Sequence, residues 1–315
     1  MTNTGELAAR IAAVMGAGTV EELRRVSGGA SRETWLFNAD GRACAMTRLR
    51  SPRPGGMGHE VDVLAAAHAA GVRVPAVIVD GSRSTELDRP FMIVEAVEGE
   101  TIARRILRDD GFGHARGVLV EQMTESLARL HSVDPAVVPG LAEPDQVGSL
   151  LALYRSFAEP HPVFELAFRW LAMNRPASRR RSIVHGDFRL GNMIVDGHGL
   201  AAVLDWELAH LGDPVEDLGW LCVRAWRFGG GRPAAGLGTY DELLDAYARH
   251  AGERPDPAVL RWWEVLGTLK WGVICMQQAH THLSGVARSH ELAAIGRRES
   301  ENEWDLLNLI EEALA

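Results

Sequence analysis

Lysine is all but missing from this 315-residue chain: Lys270 is the only one, and every other strongly basic side chain is arginine. Any role that needs a permanent cation before residue 270 therefore falls to arginine, whose planar fork grips carboxylate and phosphate oxygens in pairs where lysine offers a point charge. Cysteine is scarce too. Cys44, Cys222 and Cys275 are odd in number, far apart and without CxxC spacing, which argues against a disulfide framework or a cysteine zinc site and predicts reduced thiols. No apolar run reaches the roughly 18 residues of a membrane span. The N-terminal MTNTGELAARIAAVMGAG sets Glu6 and Arg10 in a short amphipathic segment, without the basic region and apolar core of a secretory signal. The expectation is a cytoplasmic protein with no membrane contact. Internal repeats and low-complexity tails are missing as well.

What is present fits an ordinary globular protein, with 46% hydrophobic and 24% charged residues. The length favours two lobes around a sizeable core. The net charge of −9 is unevenly placed: residues 1–97 balance, whereas residues 98–315 hold 22 basic and 31 acidic side chains. An acidic second part argues against nucleic acid as a partner.

Along the chain, Leu7, Ile11, Val14 and Met15 space as a short helix ending near Gly16. Strands are expected at Val20 to Val26, Thr34 to Asn38 and Ala43 to Leu49, joined by the small-residue turn SGGAS at 27–31 and by an Asp40-Gly41 hairpin. After the Pro/Gly loop 51–58, residues 59–70 read as a helix with Glu60 in its first turn, and Val77 to Val79 and Phe91 to Val94 complete five strands. From residue 101 onward the pattern is helical: 101–108, 113–131, 147–157, 163–173, 240–250, 257–282 and a final amphipathic helix over 291–315. Trp220 and Trp226 are expected in the core. The FGGGRPAAGLG stretch, 228–238, reads as a mobile loop, either a lid or a plain connector.

The chemistry concentrates in residues 182–207, SIVHGDFRLGNMIVDGHGLAAVLDWE. Two short apolar runs flank a polar turn holding His185, Asp187, Arg189 and Asn192, and a third run delivers Asp205. Phosphoryl transfer needs a carboxylate near the acceptor hydroxyl and oxygen ligands that hold Mg²⁺ on nucleotide phosphates. Asp187 and Asn192 have the D-x-x-x-x-N spacing of a kinase catalytic loop, and Asp205 follows after a hairpin. An oxidoreductase of the dinucleotide-binding type is excluded by the lack of GxGxxG after an initial strand. His280 and His282 have no third ligand at convincing spacing, so zinc is not expected.

With HGDFRLGN at 185–192, LDWE at 204–207 and GDPVEDLGW at 212–220, the chain resembles the aminoglycoside phosphotransferase (choline-kinase-like) family, most closely the kinase-like domain associated with acyl-CoA dehydrogenases. The resemblance implies an α+β, protein-kinase-like bilobal fold, with a five-stranded antiparallel N-terminal lobe over residues 1–97 and a mostly helical lobe over 98–315. It implies ATP and Mg²⁺ as cofactors and a small hydroxylated acceptor, a hydroxyacyl-CoA or an aminoglycoside-like compound. By the same resemblance Asp187 is the catalytic carboxylate and Asn192 and Asp205 are metal ligands. Gly28, Gly29 and Ser31 cover the phosphates, and backbone groups of Glu95 to Val97 meet the adenine edge. Arg48 on the third strand, with Arg50 and Arg53 as alternatives, stands where the family has lysine. Glu60 is expected either to pair with Arg48 or to face solvent at its helix start. His185 would position the loop, and Asp217 would brace it through His185 or Arg189. The family often has His-Pro where this chain has Arg189-Leu190, a departure that bears on the acceptor. Arg224, Arg227 and Lys270 fall in the acceptor region, where they would suit an anionic substrate. The alternative reading is a nucleotide-binding pseudokinase acting as a regulatory module.

Overall fold

A computed structural model describes residues 4–26, 32–51, 57–177 and 180–314. The strands β1 (Val20–Val26), β2 (Arg32–Ala39), β3 (Arg42–Leu49), β4 (Val77–Gly81) and β5 (Phe91–Glu95) form an antiparallel sheet in the order β1-β2-β3-β5-β4. Side-chain alternation sorts its two faces. Trp35, Phe37 and Ala39 of β2 and Cys44 and Met46 of β3 are buried together with Leu7 and Ile11 of the first helix, α1 (Thr4–Met15). On the opposite face Leu49 joins Val61 and Leu64 of α2 (Gly58–Ala69).

The remainder is mostly helical: α3 (Ala103–Arg108), α4 (Gly113–His131), α5 (Gln146–Ser156), α6 (Pro162–Met173), then, beyond four short strands, α7 (Val215–Cys222), α8 (Tyr240–Ala251), α9 (Pro257–Leu283), α10 (His290–Gly296) and α11 (Glu299–Leu314). The single helix expected over 291–315 is two. Its polar stretch around Arg297 and Arg298 breaks the apolar face, so α10 and α11 pack separately on α9. Gly219 permits the close α7–α9 crossing, since a Cβ there would lie 2.5 Å from that of Trp263. One cluster of buried side chains runs from Leu49 and Leu64 in the sheet region through Leu119 and Met123 to Ile183, Leu218 and Leu244, so the two parts share a core.

The 228–238 stretch is tied down rather than loose. Ala234 and Ala235 are fully buried, and Ala235 N–H donates to the Leu221 carbonyl.

The four short strands make two hairpin-like pairs that frame the polar turn. Strand β6 (Ser182–Val184) pairs with β9 (His210–Gly212), and β7 (Met193–Asp196) pairs with β8 (Gly199–Val203). At the open end of the second pair Leu204 N–H donates to the Asn192 carbonyl, which holds Asn192 and Asp205 at neighbouring positions.

Candidate active site

The turn after β6 owes its shape to Gly186, at φ +79°; a Cβ there would meet the Leu208 carbonyl oxygen at 2.5 Å. Asp217, at the start of α7 and fully buried, accepts from the backbone N–H of His185 at 2.8 Å and of Gly186 at 2.9 Å. His131, from the end of α4, lies 3.1 Å from the same carboxylate through Nε2, and its Nδ1 lies 2.9 Å from the Tyr247 hydroxyl. Burial alone would raise the Asp217 pKa. The hydrogen bond and charge of His131 and the contacts with His185 outweigh it and hold the carboxyl below its usual value. The expected brace is thus present, through the backbone of His185 rather than its ring.

That ring has another task. His185 Nε2 lies 2.9 Å from the Leu204 carbonyl, and Nδ1 accepts from the Asp187 N–H at 3.2 Å, so the tautomer carries its proton on Nε2. Full burial lowers its pKa, which keeps the ring neutral. It links the turn to the segment that carries Asp205 and has no lone pair left for a substrate proton.

Asp187 ends up with both oxygens engaged. Oδ1 accepts from Trp220 Nε1 at 2.7 Å and Arg189 Nε at 3.0 Å; Oδ2 accepts from Asn192 Nδ2 at 2.6 Å. Asn192 Nδ2 also donates to the Asp187 carbonyl, which turns its Oδ1 outward, without a hydrogen-bond partner among the described residues. Asp205 sits in the left-handed region, φ 65° and ψ 67°. It keeps access to the cleft, yet the surrounding protein, then the nearby carboxylates of Glu207, Asp187 and Glu60, push its pKa up to about 6 despite Arg32. Such crowding of negative charge disfavours an ionised Asp205 unless a cation joins it.

The cleft cation is the principal correction to the sequence reading. Arg48 shares the parity of Cys44 and Met46 and so turns to the α1 face; it is 1% exposed. Its guanidinium bonds Glu33, its cross-strand neighbour, through Nε at 2.7 Å, and the Leu87 carbonyl at 2.9 Å. The pair expected between Arg48 and Glu60 is not formed. Glu60 instead receives Arg32, of the opposite parity on β2, at 2.5 Å, and Arg32 also reaches Glu207 at 2.7 Å. Arg50, the alternative just past the end of β3, donates to the Arg32 carbonyl. Gly28, Gly29, Ser31 and Arg53 lie outside the described residues. At the expected hinge the N–H groups of Glu95 and Ala96 are taken by the Ala76 and Ala43 carbonyls, and the Glu95 side chain pairs with Arg42. Among the described residues Val97 makes no backbone–backbone bond, so of the expected hinge residues its amide is the one left for a ligand.

Beside Asp187 lies an aromatic wall. Trp220 and Trp226 ring centroids are 5.3 Å apart, Trp226 and Trp271 are 4.7 Å apart, and Arg189 stacks over Trp226 at 4.7 Å with Lys270 over Trp220 at 4.9 Å. Arg227 is drawn away from any ligand by Glu264, 3.0 Å from it. Three contributors escaped sequence reasoning: Arg32, His131 and the indole N–H of Trp220. Only Arg32 left a trace in sequence, as the first residue after the glycine-bearing segment 27–31. Among the described residues no group of three or more His, Cys, Asp or Glu side chains forms a metal site of its own.

A strand-rich part and a helical one, the second carrying a D-x-x-x-x-N loop with an aspartate at the mouth of the next hairpin, define the protein-kinase-like class. Within that class the chain belongs to the phosphotransferase enzyme family, APH, whose family model matches residues 22–263. Acyl-CoA dehydrogenase family member 10 of Mus musculus is 30% identical over 220 residues, covering 64% of this chain and 20% of the relative. Acyl-CoA dehydrogenase family member 11 of Gallus gallus is 27% identical over 317 residues, covering 90% of this chain and 40% of the relative. The chain thus spans less than half the length of these relatives. Among solved structures, an assigned aminoglycoside phosphotransferase from Ralstonia eutropha superposes with a TM-score of 0.77 at 23% identity, covering 98% of each chain. The aminoglycoside phosphotransferase APH(4)-Ia, solved with AMP-PNP and hygromycin B, gives 0.68 at 14% identity, covering 97% of this chain and 98% of its own. These likenesses establish the fold.

Proposed function

We propose that this chain transfers the γ-phosphoryl group of ATP to a hydroxyl of a small molecule, either a hydroxyacyl-CoA or an aminoglycoside-like compound. The observation that carries the reading is the Asp187–Asn192 pair held at 2.6 Å with Asp205 beside it at the mouth of the hairpin. Asp187 orients the acceptor hydroxyl and takes its proton as the new P–O bond forms and the bond to the ADP oxygen breaks. Trp220 and Arg189 fix the carboxylate's rotamer by donating to Oδ1.

The donor set suits Mg²⁺. Two oxygen ligands, Asn192 Oδ1 and Asp205, are what such a site offers when nucleotide phosphates and water complete the octahedron. Bound there, Mg²⁺ would neutralise phosphate charge. Arg32 takes over the role first given to Arg48: its guanidinium is fixed by Glu60 and Glu207 at the cleft, and it follows directly in sequence on Gly28, Gly29 and Ser31, which we assign to the phosphates. The amide of Val97 is assigned to the adenine edge.

Calorimetric titration with Mg·AMP-PNP tests these assignments. Arg32→Gln is expected to weaken binding roughly tenfold, the loss of one charge-assisted contact. Asp205→Ala should remove the dependence on Mg²⁺. Arg48→Gln should lower the melting temperature and leave nucleotide affinity alone. Weakened affinity in Arg48→Gln with an unaffected Arg32→Gln would contradict the exchange of roles.

A further inference from the structure

The wall beyond Asp187 opens into a groove of about 740 Å³. Its charged lining consists of Arg104 and Arg108 from α3, Arg189 of the catalytic turn, Arg224, Arg298 and a single acid, Glu301. A second hollow of about 720 Å³ continues it, sharing Arg224, Arg298 and Glu301. This stands against the trend of the chain, whose residues 98–315 carry 22 basic and 31 acidic side chains. Two of these guanidiniums are left uncompensated, whereas Arg298 is paired with Glu301 at 3.0 Å. Arg104 and Arg108 are exposed and form no ion pair with any described residue, and Arg224, 66% exposed, reaches Asp305 only at 3.4 Å. Trp226, 7% exposed and also in the lining, keeps its indole N–H without a hydrogen-bond partner among the described residues. Five arginines against the single acid Glu301 in the lining, with Arg104 and Arg108 unpaired among the described residues, create a positive potential that concentrates anions and repels cations. Arg189 joins the groove to the reaction centre, since its Nε lies 3.0 Å from Asp187.

We infer that the acceptor carries, besides its hydroxyl, an anionic group, phosphate or carboxylate, which Arg104 and Arg108 bind while the hydroxyl reaches Asp187. The inference rests on the phosphotransferase reading and narrows it. A polycationic aminoglycoside would have to place ammonium groups beside the unpaired Arg104 and Arg108; an anionic metabolite meets two guanidiniums free to bind it. The same field speeds capture of such an acceptor and fades as salt rises.

The test uses the protein saturated with Mg·AMP-PNP, so that the nucleotide site cannot bind the probe. Calorimetry with 3-phosphoglycerate, an anion that also bears a hydroxyl, is expected to show binding that weakens with added salt, whereas hygromycin B shows none. The Arg104→Gln/Arg108→Gln double variant should weaken 3-phosphoglycerate binding by roughly tenfold or more, two charged contacts being removed, with Mg·AMP-PNP affinity unchanged. Hygromycin B binding in place of 3-phosphoglycerate, or equal affinity in the double variant, would overturn the inference while sparing the kinase assignment. Failure of the wild-type protein to bind Mg·AMP-PNP would remove the kinase reading itself, and is seen before any acceptor probe is added.

Discussion

The proposed proton acceptor, Asp187, is held in place on every side. Both of its oxygens are held, by Arg189 and Asn192 of its own loop and by Trp220 of α7. Trp220→Phe keeps the ring and deletes the N–H aimed at Oδ1. The expected result is a transfer rate lower by about tenfold, because a misplaced reacting group is costly, with nucleotide affinity preserved; steady-state kinetics beside nucleotide titration would detect it. The spacing of Asp187, Asn192 and Asp205 was legible in the sequence because all three lie within one short segment. The cleft arginine was not. Both parities of β3 carry apolar residues, Cys44 and Met46 on one and Ala45 and Leu49 on the other, so sequence alone did not say which face met α1. Packing decided it, and Arg48 turned to Glu33.

At the scale of elements, the turn depends on α7 more than on its own residues. Asp217 satisfies two backbone amides and His131 in a site closed to water. Asp217→Ala leaves those donors buried and unpaired, and is expected to cost about 3–5 kcal/mol in urea unfolding, whereas Tyr247→Phe, which removes one hydrogen bond to His131, should cost about 1 kcal/mol. The brace itself was foreseen from GDPVEDLGW, but α4 lies more than fifty residues upstream and nothing local announces that His131 closes the network.

A second element-scale feature is Glu264 of α9, set between Tyr240, Arg227 and Arg261. Burial lifts its pKa to about 7 in spite of both arginines and the tyrosine hydroxyl. The folded-state value exceeds the ordinary 4.5, so folding favours the protonated form. That contribution is full below about 4.5 and is lost as pH rises through about 7, at up to about 1.4 kcal/mol per pH unit. Glu264→Gln should flatten the pH dependence of unfolding free energy across that window. An unchanged slope would show that the group titrates elsewhere.

For the whole molecule, the lobes are joined by a shared core and by Arg32, which ties β2 to α2 through Glu60 and to the segment after Asp205 through Glu207. The strand count and the helical remainder were readable from periodicity and turn chemistry. The lobe-spanning contact was not, since it joins residues 175 positions apart. The arginine groove likewise gathers α3, the turn after β6 and the start of α11 from distant parts of the chain. The central claim is that Asp187 serves a phosphoryl transfer. It is tested most directly by following γ-labelled ATP in the presence of Mg²⁺ and a panel of hydroxyacyl-CoAs and aminoglycosides, with wild-type protein and with Asp187→Ala. Label on an acceptor is expected with the wild type and a loss of roughly 10²–10⁴-fold in Asp187→Ala, with Mg·AMP-PNP still bound. Undiminished transfer by Asp187→Ala would contradict it, and tight nucleotide binding without transfer by either protein would point to a regulatory module instead.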